Sequence, residues 1–251
     1  MSTMSELLVT PQLPEAEAAQ QKNYVTYHLS ELESSANLTL FENRALIAAG
    51  GTTGLRTWEA ALHMGQYLCL NQHIIRGKRV LELGAGTGYI SILCAKYLQA
   101  SHVIASDGSD DVINNLPDNL FLNSLEDPSV IVPMDLKWGY MLAGTEEEKW
   151  NGGRTVDVVV GADITYDSSV IPALIGTLVD LYDLYPAVEV YISATQRNEA
   201  TLKVFLDQCK ANGLVVDALE FDCPKREVQT GPFYNDQVAI MLYRITRPSK
   251  R

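Results

Sequence analysis

Glu82, Asp107, Asp163 and Tyr166 are the side chains whose type and place in the chain point to chemistry, and a glycine turn ties the first two together. Glu82 stands two residues before the first glycine of Arg79-Val80-Leu81-Glu82-Leu83-Gly84-Ala85-Gly86-Thr87-Gly88-Tyr89. A short apolar run that enters such a turn and opens into a helical-period segment, here 89–98, makes a strand, loop and helix. That unit is half of a nucleotide-cofactor site. A dinucleotide fingerprint needs Gly-x-Gly-x-x-Gly, which lets the backbone close on a pyrophosphate at a helix N-terminus. Gly84, Gly86 and Gly88 instead keep a Gly-x-Gly-x-Gly rhythm, with Tyr89 where the third dinucleotide glycine would sit. A carboxylate at that mouth repels phosphates and attracts an ammonium group. The next strand, 102–106, ends in Asp107, a position from which a carboxylate accepts both hydroxyls of an adenosine ribose.

An adenosine joined to an amino-acid ammonium is S-adenosylmethionine. Glu82, the turn of Gly84, Gly86 and Gly88, and Asp107 together favour that cofactor over a nicotinamide one, whereas the glycine turn alone carries little weight. Asp163 and Tyr166 lie in Gly161-Ala162-Asp163-Ile164-Thr165-Tyr166-Asp167, the exit of the most strand-like run in the chain, 156–160. In a doubly wound sheet, ligands sit outside the carboxyl ends of the strands near the topological switch. This exit is therefore expected to face the cofactor's reactive end, with small Gly161 and Ala162 permitting close approach. Asp163 has a second reading, as the N-cap of the helix expected over 169–184, but Ser168 or Ser169 can serve there. Trp58, at a glycine-rich loop-to-helix junction, either walls the pocket or anchors the core. Trp138, just past the strand 130–134, either packs on an adenine ring or covers a surface loop.

These residues need a sheet to bring them together. Residues 1–22, rich in Pro, Glu, Ala and Gln, read as a flexible lead-in to a single domain over 23–251, with a strand and helix cap over 23–75. Alternation over 23–29 predicts a strand, and 39–42 and 46–47 a second short extended piece. A helix is expected from Trp58 to about Asn71, preceded by the breakers of 50–54. Helices also follow over 110–125, where Pro117 should kink or divide the element, and over 199–212, stopped by Gly213. Residues 146–153 form a charged loop. The run 188–193 adds a fifth strand, and 214–221 and 237–243, with no helix between them, predict a final hairpin and an antiparallel edge on a mostly parallel sheet.

Composition narrows the function. The 251 residues carry 19 basic and 31 acidic side chains, a formal charge of −12. That balance leaves no broad basic surface for nucleic acid or anionic lipid and favours a cationic partner. The four cysteines, Cys69, Cys94, Cys209 and Cys223, are scattered without a Cys-x-x-Cys pair, as expected of reduced thiols in a cytoplasmic protein, and no metal site is expected. The start Met1-Ser2-Thr3-Met4-Ser5-Glu6 lacks the features of a signal peptide, and no apolar run reaches membrane-spanning length.

The Glu82 to Gly88 turn with Asp107 resembles the class I S-adenosylmethionine-dependent methyltransferases. Their α/β fold is a seven-stranded, doubly wound, mostly parallel sheet in the order 3-2-1-4-5-7-6, which accommodates the pattern above. Trp58 in Gly-Thr-Thr-Gly-Leu-Arg-Thr-Trp-Glu-Ala-Ala, the exit from Asp135 to Trp138, and Asp163-Ile164-Thr165-Tyr166 are similar to the non-histone protein-lysine methyltransferases with an Asp-x-x-Tyr motif. Residues 52–62 and Gln196-Arg197-Asn198 are most similar to the fungal enzymes that methylate a lysine of translation elongation factor 2. The resemblance, over about residues 23–245, implies that Trp58, Gly84, Ala85, Gly86, Asp107, Trp138 and Ala162 line the cofactor site and that Asp163 and Tyr166 address the lysine. Those relatives often carry a longer N-terminal portion.

Methyl transfer to an amine asks for alignment and for a dehydrated, neutral nucleophile. An aromatic wall favours the neutral amine, whereas the Asp163 carboxylate favours the ammonium. We expect Asp163 to bind and orient the lysine head, Tyr166 to shape the channel and meet the cation with its ring, and water to remove the proton. A monomer is the expected unit. The alternatives are a lysine methyltransferase of another cytosolic protein, a small-molecule methyltransferase, or a cofactor-binding assembly partner without turnover.

Overall fold

A computed structural model describes residues 21–33, 35–43, 53–140, 142, 151 and 154–248. In chain order come β1 (Asn23–His28), β2 (Asn37–Glu42), α1 (Glu59–Leu70), β3 (Arg79–Leu83), α2 (Tyr89–Lys96), β4 (His102–Asp107), α3 (Asp110–Leu122) and β5 (Ile131–Asp135). They are followed by β6 (Val158–Ala162), α4 (Ile171–Leu184), β7 (Glu189–Thr195), α5 (Glu199–Ala211), β8 (Val215–Leu219) and β9 (Ile240–Thr246). The expectations on residues 1–20, on 46–47, on 50–52 and on 146–150 with 152–153 fall outside the described residues.

Seven strands form one sheet in the order β5-β4-β3-β6-β7-β9-β8, which is 3-2-1-4-5-7-6 counted from β3. The pairings among β5, β4, β3, β6 and β7 are parallel, and β9 lies antiparallel between β7 and β8. Helices cover both faces. Val80, Val103, Ala105, Val158 and Val160 pack with α1, α2, α3 and the β1–β2 pair. Their strand neighbours Leu81, Leu83, Ile104 and Val159 pack with α4 and α5 on the other side. The period-2 alternation survives in strands apolar on both faces, and that double burial is why β3 and β6 read as continuous hydrophobic runs.

The β1–β2 pair forms a separate antiparallel ladder. α3 docks the outer edge of β2 with side chains in place of another strand. Asn123 accepts from the Thr39 amide at 3.2 Å and donates to its carbonyl at 2.7 Å. Asn119 accepts from the Phe41 amide at 2.7 Å, and Asn115 donates to the Phe41 carbonyl at 3.4 Å. Spaced four apart, the three asparagines share one helix stripe and satisfy backbone groups that a bare edge would leave open.

Two expectations are corrected by the backbone, and of the two alternatives for Pro117 the division of the helix falls away. Pro117 lies inside α3 without dividing it, because buried Val112, Leu116 and Leu120 anchor one stripe and the asparagines tie another to β2. α4 begins at Ile171 with Val170 as N-cap and no side-chain cap. Ser168 and Ser169 do not fill that role; Asp167 instead accepts from the Ser169 amide and hydroxyl in a local turn. The last strand starts at Ile240 rather than 237, where pairing with Thr195 begins. No helix among the described residues is long and apolar enough to cross a membrane.

Candidate functional site

The carboxyl ends of β3, β4, β5 and β6 converge on a cavity of about 700 Å³, at the point where the strand order reverses between β3 and β6. An open α/β sheet places its ligand at this crevice, and the volume suits a nucleoside-sized molecule. The sequence-named residues Trp58, Glu82, Gly84, Ala85, Gly86, Asp107, Trp138, Ala162, Asp163 and Tyr166 all border it. Gly88 does not. It caps α2 at a φ of +83°, and a Cβ there would stand 2.9 Å from Leu116 Cδ2, so close packing of α2 on α3 explains the glycine.

The turn between β3 and α2 folds where β3 must give up its ladder. Gly84 adopts φ +68°, and a Cβ would meet Ile164 Cγ2 at 2.6 Å, which keeps the β6 exit pressed against the turn. Asp107 closes the turn from β4. Its Oδ2 accepts from the Gly86 amide at 3.1 Å and its Oδ1 from the Ser109 amide at 3.0 Å. Burial pushes the Asp107 carboxyl above the usual range, while the amides of Ser109, Gly86 and Gly108 pull it back. A carboxylate keeps further lone pairs for hydroxyl donors.

Glu82 lies on the cavity floor, 2 % exposed. Ser91 donates to Oε2 through its amide at 2.9 Å and through its hydroxyl, and Oε1 takes no donor from the described residues. Burial raises the carboxyl to about 8, against the pull of the Ser91 hydrogen bonds. An ammonium at Oε1 would stabilise the charged form that burial disfavours.

Both tryptophans border the cavity. Trp58 is the N-cap of α1 and donates its indole NH to the Thr53 carbonyl at 2.9 Å, holding residues 53–57 over the turn. Trp138 borders the cavity beside Gly84, and its Nε1 is buried with no partner among the described residues. The free Glu82 oxygen and the Asp107 lone pairs are what an adenosine carrying an amino-acid end would satisfy, with the Trp138 ring as one wall. The site fits S-adenosylmethionine.

Asp163 follows β6 at φ +53°, a left-handed conformation that aspartate tolerates better than most residues. Its amide donates to the Ser193 carbonyl at 2.8 Å. Oδ1 accepts from the Thr195 amide at 2.8 Å, and Oδ2 from the Thr195 hydroxyl at 2.9 Å and Arg197 Nη2 at 3.2 Å. The N-cap reading is thus excluded: the carboxylate points to the β7 exit and the cavity, away from α4. Tyr166, 56 % exposed, stands at the mouth with its hydroxyl 3.3 Å from Thr53 Oγ1.

Sequence reasoning missed the partners that fix these groups. Arg197 also donates to Glu59 Oε2 at 3.2 Å, while Glu59 Oε1 accepts from Arg56 at 3.3 Å. Thr57 Oγ1 lies 2.7 Å from Thr87 Oγ1, tying the loop before α1 to the glycine turn. Arg197 and Glu59 both stood in stretches marked by the resemblance; the strand-exit rule points to Arg197, which follows β7, but not to Glu59, which opens α1.

Residues 36–212 match the lysine methyltransferase family. Protein-lysine N-methyltransferase EFM3 of Chaetomium thermophilum is 56% identical over 250 residues, covering 98% of this chain and 74% of that one. EFM3 of Saccharomyces cerevisiae is 30% identical over 249 residues, with 90% and 69% covered. Protein-lysine N-methyltransferase EEF2KMT of Homo sapiens is 31% identical over 210 residues, with 79% and 62% covered. Among solved structures, a putative S-adenosylmethionine-dependent methyltransferase from Streptococcus mutans aligns with a TM-score of 0.56 at 14% identity, covering 94% of this chain and 56% of that one. A second, from Aquifex aeolicus, gives 0.53 at 14% identity, with 74% and 90% covered. At those identities the likeness is one of fold.

Proposed function

We propose that this chain, which belongs to the lysine methyltransferase family and is a protein-lysine N-methyltransferase, carries a methyl group from S-adenosylmethionine to a lysine of translation elongation factor 2. The observation that carries the substrate is the 56% identity to EFM3 over 98% of the chain. The resemblance of residues 52–62 and of Gln196-Arg197-Asn198 to elongation factor 2 methyltransferases supports the same reading. We place the enzyme in the cytoplasm, acting as a monomer.

In this reading Glu82 Oε1 holds the ammonium end of the cofactor and Asp107 the ribose hydroxyls. Trp58, Trp138 and Ala162 wall the space between. Bound there, the cofactor would supply a methyl carbon on a sulfonium, to which the lysine amine would bond as the thioether leaves. The protein contributes alignment and dehydration. Tyr166 lines the entry of the lysine and offers its ring to the arriving cation. Asp163 orients the lysine head through a lone pair that Thr195 and Arg197 leave unused, and the proton departs to water through the open mouth.

The test is to incubate the purified protein with methyl-labelled S-adenosylmethionine and a cytosolic extract of cells lacking it, then identify labelled proteins by mass spectrometry. One labelled band at elongation factor 2 is expected. A band elsewhere discards the substrate and keeps the lysine methyltransferase; label confined to small molecules favours a small-molecule enzyme.

A further inference from the structure

We propose that Arg197 and Glu59 set the charge state of the target lysine, by holding Asp163 within a group of four charges that sums to zero. The inference rests on the reading of a lysine amine entering beside Asp163 and Tyr166. Arg197, in the loop between β7 and α5, bridges two carboxylates through Nη2, Asp163 and Glu59, each at 3.2 Å. Glu59 joins Arg56 at 3.3 Å. The two guanidinium carbons lie over the Trp58 ring, at 4.6 Å for Arg56 and 4.9 Å for Arg197. One aromatic wall of the cavity therefore carries two cations and two anions, fixed by three ion pairs and two cation–ring contacts.

The chemistry gives this balance a purpose. A lysine reaches the site as an ammonium, yet only the neutral amine has the lone pair that forms the new N–C bond as the C–S pair returns to sulfur. Asp163, its side chain 6% exposed, would by itself trap the ammonium, because a buried carboxylate raises the pKa of a cation beside it. Arg197 cancels that charge. Glu59 in turn cancels the second positive charge that Arg56 and Arg197 would present to an incoming cation. A neutral group admits the ammonium and lets its proton go to water. Among the other groups near Asp163, Thr195 is neutral and Tyr166 meets Thr53. Glu82, Asp107, Asp110, Asp111 and Lys137 border the cavity from β3, β4, α3 and the β5 exit, and the variants below leave them in place. Arg197 does not border the cavity, so it is a positioning residue that acts through Asp163.

The experiment measures kcat against pH at saturating cofactor and saturating protein substrate. The substrate is the protein that carries label in the extract, purified unmodified from cells lacking the enzyme. Under saturation, kcat reports ionisations of the bound complex. The wild type should show a limb on which kcat rises with pH. Arg197→Gln should move that limb up by about one pH unit, and Glu59→Gln should move it down by a smaller step. The double variant, again neutral, should return toward the wild type. Arg197→Lys should keep the limb in place while lowering kcat, since an ammonium lacks the fork that bridges two carboxylates. Shifts of one sign in both single variants, additive loss in the double variant, or a wild-type kcat flat with pH would overturn the proposal. Should Arg197→Gln fail to fold, Glu59→Gln and Arg197→Lys decide it: a downward shift in the first with an unmoved limb in the second supports it, and any other pair overturns it. Label on a protein other than elongation factor 2 discards the substrate alone and leaves this test intact; no labelled protein overturns both readings.

Discussion

Asp163 is held on both oxygens by Thr195 and Arg197, so its geometry is fixed before a substrate arrives. Asp163→Asn removes the charge and gives Thr195 and Arg197 an amide that can accept through one oxygen only. Initial rates should fall by more than about 100-fold, while the cofactor Kd from calorimetry stays within a few-fold; comparable losses in both would make Asp163 a structural residue. Glu82 gives a different signature. Its folded carboxyl is raised from 4.5 to about 8 by burial, so the folded state keeps a proton that the unfolded chain has released. The stability this gives is present at low pH and is lost as pH rises from about 4.5 through about 8. Glu82→Gln keeps a neutral side chain and should lack that loss. Apo thermal unfolding should find the variant gaining on the wild type between pH 6 and 8.5, while its cofactor affinity falls at least about tenfold. A variant whose stability difference does not change with pH would refute the buried-proton account. Glu82 and Asp107 were legible because a carboxylate beside a glycine turn has few other uses. The Glu59–Arg197 pair was not, since its members are 138 residues apart and surface-type residues at that separation carry no periodic signal.

At the scale of elements, the periodicities that separate strands from helices also located the sheet, because strands buried on both faces leave long apolar runs and the helices between them keep a 3.6 period. The N-terminal hairpin was legible as strands but not as part of the site. Its role rests on side-chain bonds across the chain: Asn119 accepts from the Phe41 amide and donates to the Thr87 carbonyl at 2.8 Å, so one buried amide joins β2 to the glycine turn. Glu42, at the end of β2, accepts from Tyr27 at 2.6 Å and from the Thr57 amide at 2.8 Å, holding the loop that borders the cavity. Asn119→Ala leaves an amide and a carbonyl unmet and should cost about 1–3 kcal/mol. For a domain of this size that lowers Tm by roughly 2–12 °C. The cofactor Kd should rise several-fold with it, because the turn loses its tether. Asn115→Ala, whose contact with Phe41 is a longer 3.4 Å, should cost less on both measures. Equal effects from the two variants, or a Tm loss with cofactor affinity untouched, would break the link from hairpin to site.

At the scale of the molecule, the charge of −12 and the neutral group around Asp163 divide two tasks. A field summed over the whole surface attracts a cationic segment from a distance, and a balanced group at the point of reaction avoids trapping the amine that the field delivers. The two parts differ in their response to salt. Exposed charges are screened over about 10 Å at 0.1 M salt and about 3 Å at 1 M, whereas partners in contact, such as Arg197 and Asp163 at 3.2 Å with the aspartate side chain 6% exposed, are screened much less. Raising sodium chloride from 50 to 500 mM should therefore lower kcat/KM for the protein substrate by several-fold, through KM, with kcat and the pH limb of kcat nearly unchanged. Steady-state rates at three salt concentrations and two pH values separate these outcomes. A kcat/KM independent of salt would mean that the acidic surface does not guide the substrate. A pH limb that moves with salt would mean that the charges around Asp163 are open to solvent when the lysine is bound.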